Sequence, residues 1–280
     1  MGLVKAKEIL EMAVAANTSA LAFNCVDYNM LKSIASVAEE LNKPTIMMLH
    51  PDHAWKRHWT TPRLFYETAK EVASEVKVPL AIHLDHCSNF DWIMAAIRAG
   101  FDSVMYDGSM LPVEENIRNT REVVKAAHAM GAIVEAELGH VGFASTVTDQ
   151  EDTDLYTKPE VAAAFCEQSG CDSLAVAVGT AHGFYKETPK LKIDRLRQIN
   201  AATDIPLVMH GGSGVPEDQL EVAFVEGINK FNIGTEFFYL YFQTMKEYCA
   251  GDQPNFFPLP ALVQSRLQEY LRKKMLISKL

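Results

Sequence analysis

Eight short apolar segments alternate with eight longer amphipathic segments along this chain of 280 residues. A short apolar run between turn residues is typical of a buried strand, and apolar residues every three or four positions are typical of a helix packed on one face. Repeated alternation of the two predicts parallel strands joined by crossover helices. Eight such units predict that the strands close into a (β/α)8 TIM barrel of the α/β class.

The predicted strands and helices cover most of the chain up to residue 249. Strands are expected at Leu21–Cys25, Thr45–Leu49, Leu80–Leu84, Ser103–Tyr106, Ile133–Glu137, Ser173–Val178, Leu207–His210 and Lys230–Ile233. Helices are expected at Met30–Leu41, Pro62–Val76, Trp92–Ala99, Val113–Met130, Pro159–Gln168, Leu191–Ala201, Glu217–Glu226 and Glu236–Cys249. The turn after the first strand, Asn24-Cys25-Val26-Asp27, is not glycine-rich, which disfavours an open doubly wound sheet.

The sequence shows no internal repeat, low-complexity tract or Pro/Ser-rich linker that would separate two domains. We therefore expect a single domain over residues 1–280, with a C-terminal helical extension from about residue 255. The stretch Phe143–Asp154 is polar and lacks apolar periodicity, which predicts a mobile loop after the fifth strand.

Composition excludes several classes of partner. The formal net charge of -10 argues against a nucleic acid or an anionic membrane surface as a partner. No apolar run approaches the roughly 20 residues that span a bilayer, and the first residues lack a signal-peptide pattern, so we expect a cytoplasmic protein. The five cysteines form no CxxC pair, which predicts reduced and mostly buried thiols.

Polar residues gather at the predicted carboxyl ends of the strands, the edge at which such barrels carry their active sites. Three of them, His86, His182 and His210, come from three different strand ends. Neutral imidazoles are good zinc ligands, and three protein ligands leave a coordination position open for substrate. A single histidine there would more often be a hydrogen-bonded loop residue, but three together predict a zinc site.

Carboxylates surround the predicted zinc ligands. Asp85 immediately precedes His86 and is the candidate for proton transfer, with a helix N-cap as the competing role. Glu135 and Glu137 share one face of the fifth strand, where they would either pair with buried groups or contact a metal or its ligands. His83 lies on the same face of the strand as Asp85, one layer deeper in the barrel. A hydrogen-bonded interior role explains His83 at least as well as a functional role.

Two glycine-containing segments follow the last two strands, where barrels commonly bind phosphate. They read His210-Gly211-Gly212-Ser213-Gly214 and Asn232-Ile233-Gly234-Thr235. Small residues let backbone N–H groups approach an anion, and Ser213 and Thr235 add hydroxyl donors. A tight turn is the alternative explanation for the first segment, but the two together predict a phosphate site beside His210.

From about Ala20 to Phe242 the strand-end motifs occur in the order found in a known family. They read AFN, HLDH, SVMYDGSMLPVEENI, VEAELG, DSLAVAVGTAHGFY, PLVMHGGSG and NIGTE. The sequence resembles the zinc-dependent class II fructose-bisphosphate and tagatose-bisphosphate aldolases, and the tagatose-type branch most closely. The resemblance implies reversible cleavage of a phosphorylated ketose into dihydroxyacetone phosphate and an aldehyde, through a metal-stabilised enediolate.

The resemblance also implies roles for individual residues. His86, His182 and His210 would hold Zn2+, Asp85 would transfer the proton, and Glu137 and Asp107 would be alternative or outer metal contacts. The predicted substrate contacts are Asn24, His50, Gly183, Gly211, Gly212, Ser213, Asn232, Ile233, Gly234 and Thr235. A monovalent cation, Na+ or K+, near the phosphate and a homo-oligomer, either a dimer or a tetramer, are further family features.

Three departures from the family pattern concern the aldehyde end of the substrate. His50 stands where the family has small residues, the loop acid is absent from Gly142–Ser145, and no arginine occurs in Asn255–Pro258. Asp149 or Glu151 would have to supply the loop carboxylate. Arg266 or Arg272 of a neighbouring subunit would have to supply the arginine. We therefore expect a substrate with phosphate on the ketone half and none on the aldehyde half, where His50, His53, Lys56 or Arg57 would meet a singly charged group.

Two other functions remain open at this point. An epimerase would use the same retro-aldol chemistry and re-add the aldehyde to the opposite face, and the absent loop acid keeps this alternative. A non-catalytic accessory subunit is disfavoured by the presence of all three histidines and Asp85. A lysine Schiff base is disfavoured because Lys230 opens the predicted eighth strand, at the end away from the site.

Overall fold

Eight parallel strands close into a barrel in the order of the chain. The computed structural model describes residues 2–139, 156–251 and 255–280. The strands are β1 (Ala20–Asn24), β2 (Thr45–Leu49), β3 (Leu80–Cys87), β4 (Ser103–Tyr106), β5 (Ile133–Leu138), β6 (Ser173–Val176), β7 (Leu207–Met209) and β8 (Ile228–Ile233). Closure occurs where β8 pairs with β1, which confirms the predicted TIM barrel.

A helix follows every strand, and one further helix lies at each end of the series. The helices are α1 (Ala6–Ala15), α2 (Tyr28–Leu41), α3 (Pro62–Ser74), α4 (Phe90–Ala99), α5 (Val113–Ala129), α6 (Pro159–Ser169), α7 (Ile193–Ala202), α8 (Glu217–Val225), α9 (Thr235–Cys249) and α10 (Leu259–Met275). Asp27, Thr61 and Asn89 cap α2, α3 and α4 by accepting a backbone N–H in the first turn.

The amino end of the barrel is closed by α1, a helix that the sequence analysis did not include. Its apolar residues are spaced three or four apart, and Ile9 and Leu10 are buried. They pack against small or flexible residues inside the barrel, among them Ala22, Met48 and Ala81. Burying an Ile or Leu side chain contributes about 1.5–3 kcal/mol, so α1 stabilises the end of the barrel opposite the strand-end polar residues.

The larger apolar layer lies between the strands and the surrounding helices. Phe23 of β1 and the helix residues Phe65, Phe165 and Phe224 are fully or almost fully buried in it. Helix α10 packs against α2 and α9 through Val263, Leu267, Leu271 and Met275, which are four residues apart and form one stripe. The C-terminal residues thus form a helix on the outside of the barrel.

All five cysteines lie in the described residues and are free thiols, three of them buried. Among the residues that the structure describes, no helix is long and apolar enough to cross a membrane. The predicted loop Phe143–Asp154 lies outside the described residues.

Candidate active site

A cavity of about 930 Å³ opens at the carboxyl ends of the strands. Every strand or the loop after it contributes to the lining, through Asn24, His50, Asp85, His86, Asp107, Glu137, His182, Gly211 and Asn232. The parallel order of the strands explains this convergence, because the carboxyl ends of all eight meet at one edge.

Three histidines converge beside this cavity, and two of them, His86 and His182, line it. The ligand atoms of His86, His182 and His210 all lie within 4.8 Å of one another. The ring centroids are 4.4 Å apart for His86 and His210 and 4.9 Å apart for His86 and His182. His210 is fully buried, and the other two are partly buried. Three imidazoles at this spacing fit a single tetrahedral metal ion with one open position.

An irregularity in β3 brings two consecutive residues to the same cavity. In a regular strand Asp85 and His86 would point to opposite faces. Here the pairing of β3 with β4 shifts register between Leu84 and Cys87, and His86 adopts a left-handed conformation with φ of 45°. Bulges of this kind redirect side chains, and strained backbone concentrates at functional sites. Both side chains consequently line the cavity.

His86 and His182 can each offer a ring nitrogen to a metal. His86 Nδ1 lies 2.9 Å from Asp107 Oδ2, and Asp107 Oδ1 accepts from the Ser109 hydroxyl at 2.7 Å. A proton on Nδ1 directed at Asp107 leaves the lone pair of His86 on Nε2. Burial, and then the charges of His86 and His210, lower the pKa of His182 to about 3, so its ring is neutral.

His210 is held between two carboxylates. Its Nε2 lies 2.9 Å from Glu135 Oε1, and its Nδ1 lies 3.3 Å from Glu137 Oε2. Burial by itself lowers the pKa of His210, but the hydrogen bonds to Glu135 and Glu137 outweigh burial and raise the pKa to about 10. The arrangement therefore favours positive charge at His210, whether that charge is a proton or a bound metal cation.

Glu135 continues this contact into the interior of the barrel. Its Oε2 accepts from Lys230 Nζ at 2.8 Å, and both side chains are buried. Lys230 therefore has a partner below the cavity, away from the cavity lining. His83 is buried beside the pair, with Nδ1 2.7 Å from Ser103 Oγ, which supports its interior role.

Asp85 is a fixed carboxylate beside the histidines. Its two oxygens accept from Asn24 Nδ2 at 2.7 Å and from Asn232 Nδ2 at 2.9 Å. Burial raises the pKa of Asp85, but the positive charges of His86, His210 and Lys230 outweigh it and hold the pKa well below its usual range. The N-cap of α4 is Asn89, so the competing N-cap role for Asp85 is not observed.

The segment after β7 requires glycine for steric reasons. Gly211 has φ of 67°, and a Cβ there would lie 2.5 Å from the backbone of Ala181. A Cβ on Gly212 would lie 1.8 Å from the ring of Phe231. Tyr185 fixes this approach, because its hydroxyl donates to the Gly211 carbonyl at 2.7 Å and accepts from the Ala181 N–H.

A helix begins where the two predicted phosphate segments meet. Helix α9 starts at Thr235 directly after Gly234, and Ser213 Oγ lies 3.4 Å from the backbone nitrogen of Glu236. The first N–H groups of a helix and its dipole favour an anion. Ser213, Asn232, Gly234 and Thr235 line the cavity together with Gly183, Gly211 and Gly212. Ile233 is buried in the core and does not line the cavity.

The family model for class II fructose-bisphosphate aldolases matches residues 4–279. The chain belongs to the class II fructose-bisphosphate aldolase family. It is 38% identical over 257 residues to the fructose-bisphosphate aldolase of Geobacillus stearothermophilus, covering 91% of this chain and 88% of that one. It is 35% identical over 261 residues to the sulfofructosephosphate aldolase of Alkalicoccus urumqiensis, with the same coverage. The crystal structure of the YdjI aldolase from Escherichia coli K12 superposes with a TM-score of 0.87 at 32% identity, covering 98% of this chain and 97% of that one.

The aldolase has a further cavity wall that the sequence analysis only partly anticipated. Residues Pro51–Trp55 form a π-helical turn after β2, and His53, Lys56 and Arg57 line the cavity. His53 is exposed, and its ring stacks on His50 with centroids 3.9 Å apart. Burial, followed by the charge of His53, lowers the pKa of His50 to about 3, so this ring is neutral. The sequence signal for this wall was that His50 and the residues after it directly follow a predicted strand.

Four residues were expected to replace missing family groups, and the described part of the chain places none of them at the cavity. Asp149 and Glu151 lie outside the described residues. Arg272 makes hydrogen bonds to both carboxylate oxygens of Glu40, on the outside of the barrel. Neither Arg266 nor Arg272 lines the cavity of its own chain.

Proposed function

We propose that the protein is a zinc-dependent class II aldolase that reversibly cleaves a phosphorylated ketose to dihydroxyacetone phosphate and an aldehyde. One observation carries the proposal: the three histidines converge within 4.8 Å beside the buried carboxylate of Asp85. The family relatives named above are aldolases, which favours cleavage over epimerisation.

His86, His182 and His210 would hold the zinc ion, since the donor set and spacing suit this metal and Asp107 orients His86. Bound zinc supplies a Lewis acid that polarises the ketone carbonyl of the substrate. Glu137 and Asp107 form a second possible ligand group with His86, so an alternative metal position adjoins the first.

Asp85 would act as the base for cleavage. Its carboxylate takes the proton of the C4 hydroxyl, the C3–C4 bond breaks, and the electron pair moves toward the C2 carbonyl oxygen. The aldehyde leaves, a proton from solvent reaches C3 to complete dihydroxyacetone phosphate, and Asp85 releases to solvent the proton that it took. Asn24 and Asn232 hold the carboxylate in place, and in the reverse direction Asp85 returns its proton to the new hydroxyl.

The glycine-rich segments would bind the phosphate of the ketone half. The cavity beside the histidine cluster is lined by Gly183, Gly211, Gly212, Ser213, Asn232, Gly234 and Thr235, and the start of α9 favours an anion there. Holding the phosphate fixes C2, C3 and C4 relative to Asp85, and such positioning is a large part of enzymatic rate enhancement.

Two kinds of variant test this proposal. His182→Ala and His210→Ala should lose zinc, measured by elemental analysis, together with release of triose phosphate from a ketose phosphate. Asp85→Ala should keep its zinc but cleave about 10²–10⁴-fold more slowly, the usual contribution of a positioned base. Full zinc content in either histidine variant would refute the ligand assignment. An Asp85→Ala enzyme that cleaves at the normal rate would remove Asp85 from the mechanism.

A further inference from the structure

The cavity extends beyond the histidine cluster, Asp85 and the glycine-rich segments. In the closed order β1 to β8, the loops after β3 and β4 lie across the barrel mouth from those after β7 and β8. A substrate with its phosphate at the second pair of loops and its reacting carbons at the histidines must extend toward β2, β3 and β4. The wall at that side comprises residues 50–53, Lys56, Arg57, Trp92 of α4 and the loop after β4.

Aromatic contacts hold this wall in place. The ring of Trp55 stacks on Trp92 with centroids 4.6 Å apart, and Lys56 Nζ lies 5.4 Å from the centre of the Trp92 ring. His53 contacts the ring of Phe238 edge-on at 5.2 Å. We call residues 51–57 the basic turn. Its contacts with α4 and α9 fix its position relative to the histidine cluster.

The basic turn and His50 supply hydrogen-bond donors to the cavity. His50 Nδ1 accepts from the backbone N–H of Asp52 at 3.1 Å, so the proton of the neutral ring is on Nε2. Arg57 donates through Nε to the Asp52 carbonyl at 3.0 Å. Within the described residues its two terminal nitrogens make no hydrogen bond, so the flat donor edge of the guanidinium is available.

The charge of this wall is small and positive. Lys56 and Arg57 are the basic residues that line the cavity in the described part of the chain. Lys56 Nζ lies 2.5 Å from Asp52 Oδ1, which offsets one positive charge and leaves Arg57 to balance a ligand. Asp107 and Glu137 line the same cavity and would repel additional negative charge. One net positive charge suits a singly charged acid better than a phosphate dianion.

We propose that the basic turn and His50 form the subsite for the aldehyde half, and that this subsite selects an aldehyde ending in a singly charged acid, a carboxylate or a sulfonate. Arg57 contacts the acid group through its terminal nitrogens, and His50 donates a hydrogen bond from Nε2. The proposal rests on the aldolase function proposed above, because it assigns the half of the substrate that the phosphate segments do not hold.

The test is the condensation of dihydroxyacetone phosphate with four aldehydes that differ at C3. They are D-glyceraldehyde, glyceraldehyde 3-phosphate, 3-sulfolactaldehyde and tartronate semialdehyde, with an uncharged, a phosphate, a sulfonate and a carboxylate end respectively. We expect kcat/KM for the sulfonate or the carboxylate aldehyde to exceed both other values by about tenfold, equivalent to about 1.4 kcal/mol. The better of these two aldehydes identifies the acid.

Variants connect the preference to the wall. Arg57→Gln should reduce kcat/KM for the preferred acid to the level of glyceraldehyde and leave the KM of dihydroxyacetone phosphate unchanged. The matched control is Arg63→Gln, an exposed basic residue of α3 outside the cavity lining, which should retain the preference. Both positions are exposed, so the variants should fold like the parent protein.

The outcomes separate the two proposals. Exchange of the C3 proton of dihydroxyacetone phosphate with solvent, measured without aldehyde, requires the histidine cluster and the phosphate-binding segments but not the basic turn. Absence of exchange in the zinc-loaded enzyme would refute the proposed function and this subsite with it. Normal exchange with a preference for glyceraldehyde 3-phosphate, or equal use of all four aldehydes, would overturn the subsite alone. An Arg57→Gln enzyme with the parental preference would overturn it too.

Discussion

Glu135 is the residue that joins the histidine cluster to the interior of the barrel. One carboxylate oxygen contacts His210 and the other contacts Lys230, so a single side chain has both a ring and an ammonium group as partners. Burial raises the pKa of Glu135, but the charges of Lys230 and His83 and the hydrogen bond to His210 outweigh burial and lower the pKa. A buried carboxylate of this kind is stable only while its partners remain.

Single and double substitutions should therefore differ at this pair. Glu135→Gln leaves the Lys230 ammonium buried without its carboxylate, and Lys230→Met leaves the carboxylate without its ammonium, so each should cost about 3–5 kcal/mol of unfolding free energy. The double variant buries neither charge and should recover most of this loss, which urea unfolding measures. Its zinc affinity should stay about 10–100-fold below that of the parent, because His210 lacks its carboxylate partner. Costs that simply add in the double variant would contradict the coupling.

At the scale of elements, the sequence predicted the eight strands and the helix after each of them, but not α1 or the turn after β2. Apolar segments of strand length and amphipathic segments of helix length gave all eight units, with ends within three residues of the structure. Because the strand ends were predicted correctly, the polar residues at those ends could be identified, and His86, His182 and His210 were among them. The bulge at Asp85 and His86 and the π-helical turn depend on contacts between distant segments, such as Trp55 with Trp92. Local sequence patterns do not contain such contacts.

Helix α10 is linked through the carboxylate of Glu236 to the glycine-rich segment after β7, which is proposed to bind phosphate. Tyr270 donates from its hydroxyl to Glu236 Oε2 at 2.7 Å, and Lys274 Nζ lies 3.3 Å from the same oxygen. Glu236 Oε1 in turn accepts from the backbone N–H of Gly214 at 2.8 Å. A helix on the outside of the barrel thus supports the turn that follows His210.

Tyr270→Phe should weaken this support without touching the reacting groups. Loss of a hydrogen bond to a charged group costs about 1.5–3 kcal/mol, and Glu236 would hold Gly214 less firmly. We expect the KM of dihydroxyacetone phosphate in the condensation reaction to rise severalfold, with kcat nearly unchanged. Lys273→Met on the same helix is the matched control, since Lys273 pairs with Glu269 at the exposed surface. Equal KM values in both variants would show that α10 does not act on the phosphate segment.

In the molecule as a whole, the apolar layers and the polar cavity occupy different parts of the barrel. The inner layer closed by α1 lies at the amino ends of the strands, and the charged groups lie at the carboxyl ends. The proposed zinc ligands come from β3 and from the segments after β6 and β7, so a bound metal would link three separate parts of the chain. The apolar contacts of the barrel core do not involve the metal site, so we expect the barrel to fold without metal.

Zinc removal should consequently lower the melting temperature but leave a folded barrel. A ligand that binds only the folded state stabilises it by about 4 kcal/mol when its free concentration is 1,000 times its Kd. For a chain of this length that corresponds to a decrease in Tm of about 7 °C on chelation, since the entropy of unfolding is about 2.1 cal/mol/K per residue. Circular dichroism before and after chelation measures both Tm and helix content, and added zinc should restore the original Tm. The His182→Ala variant serves as the control, because its Tm should not respond to the chelator. A parent enzyme that loses its zinc with no change in Tm would show that the metal does not connect these segments.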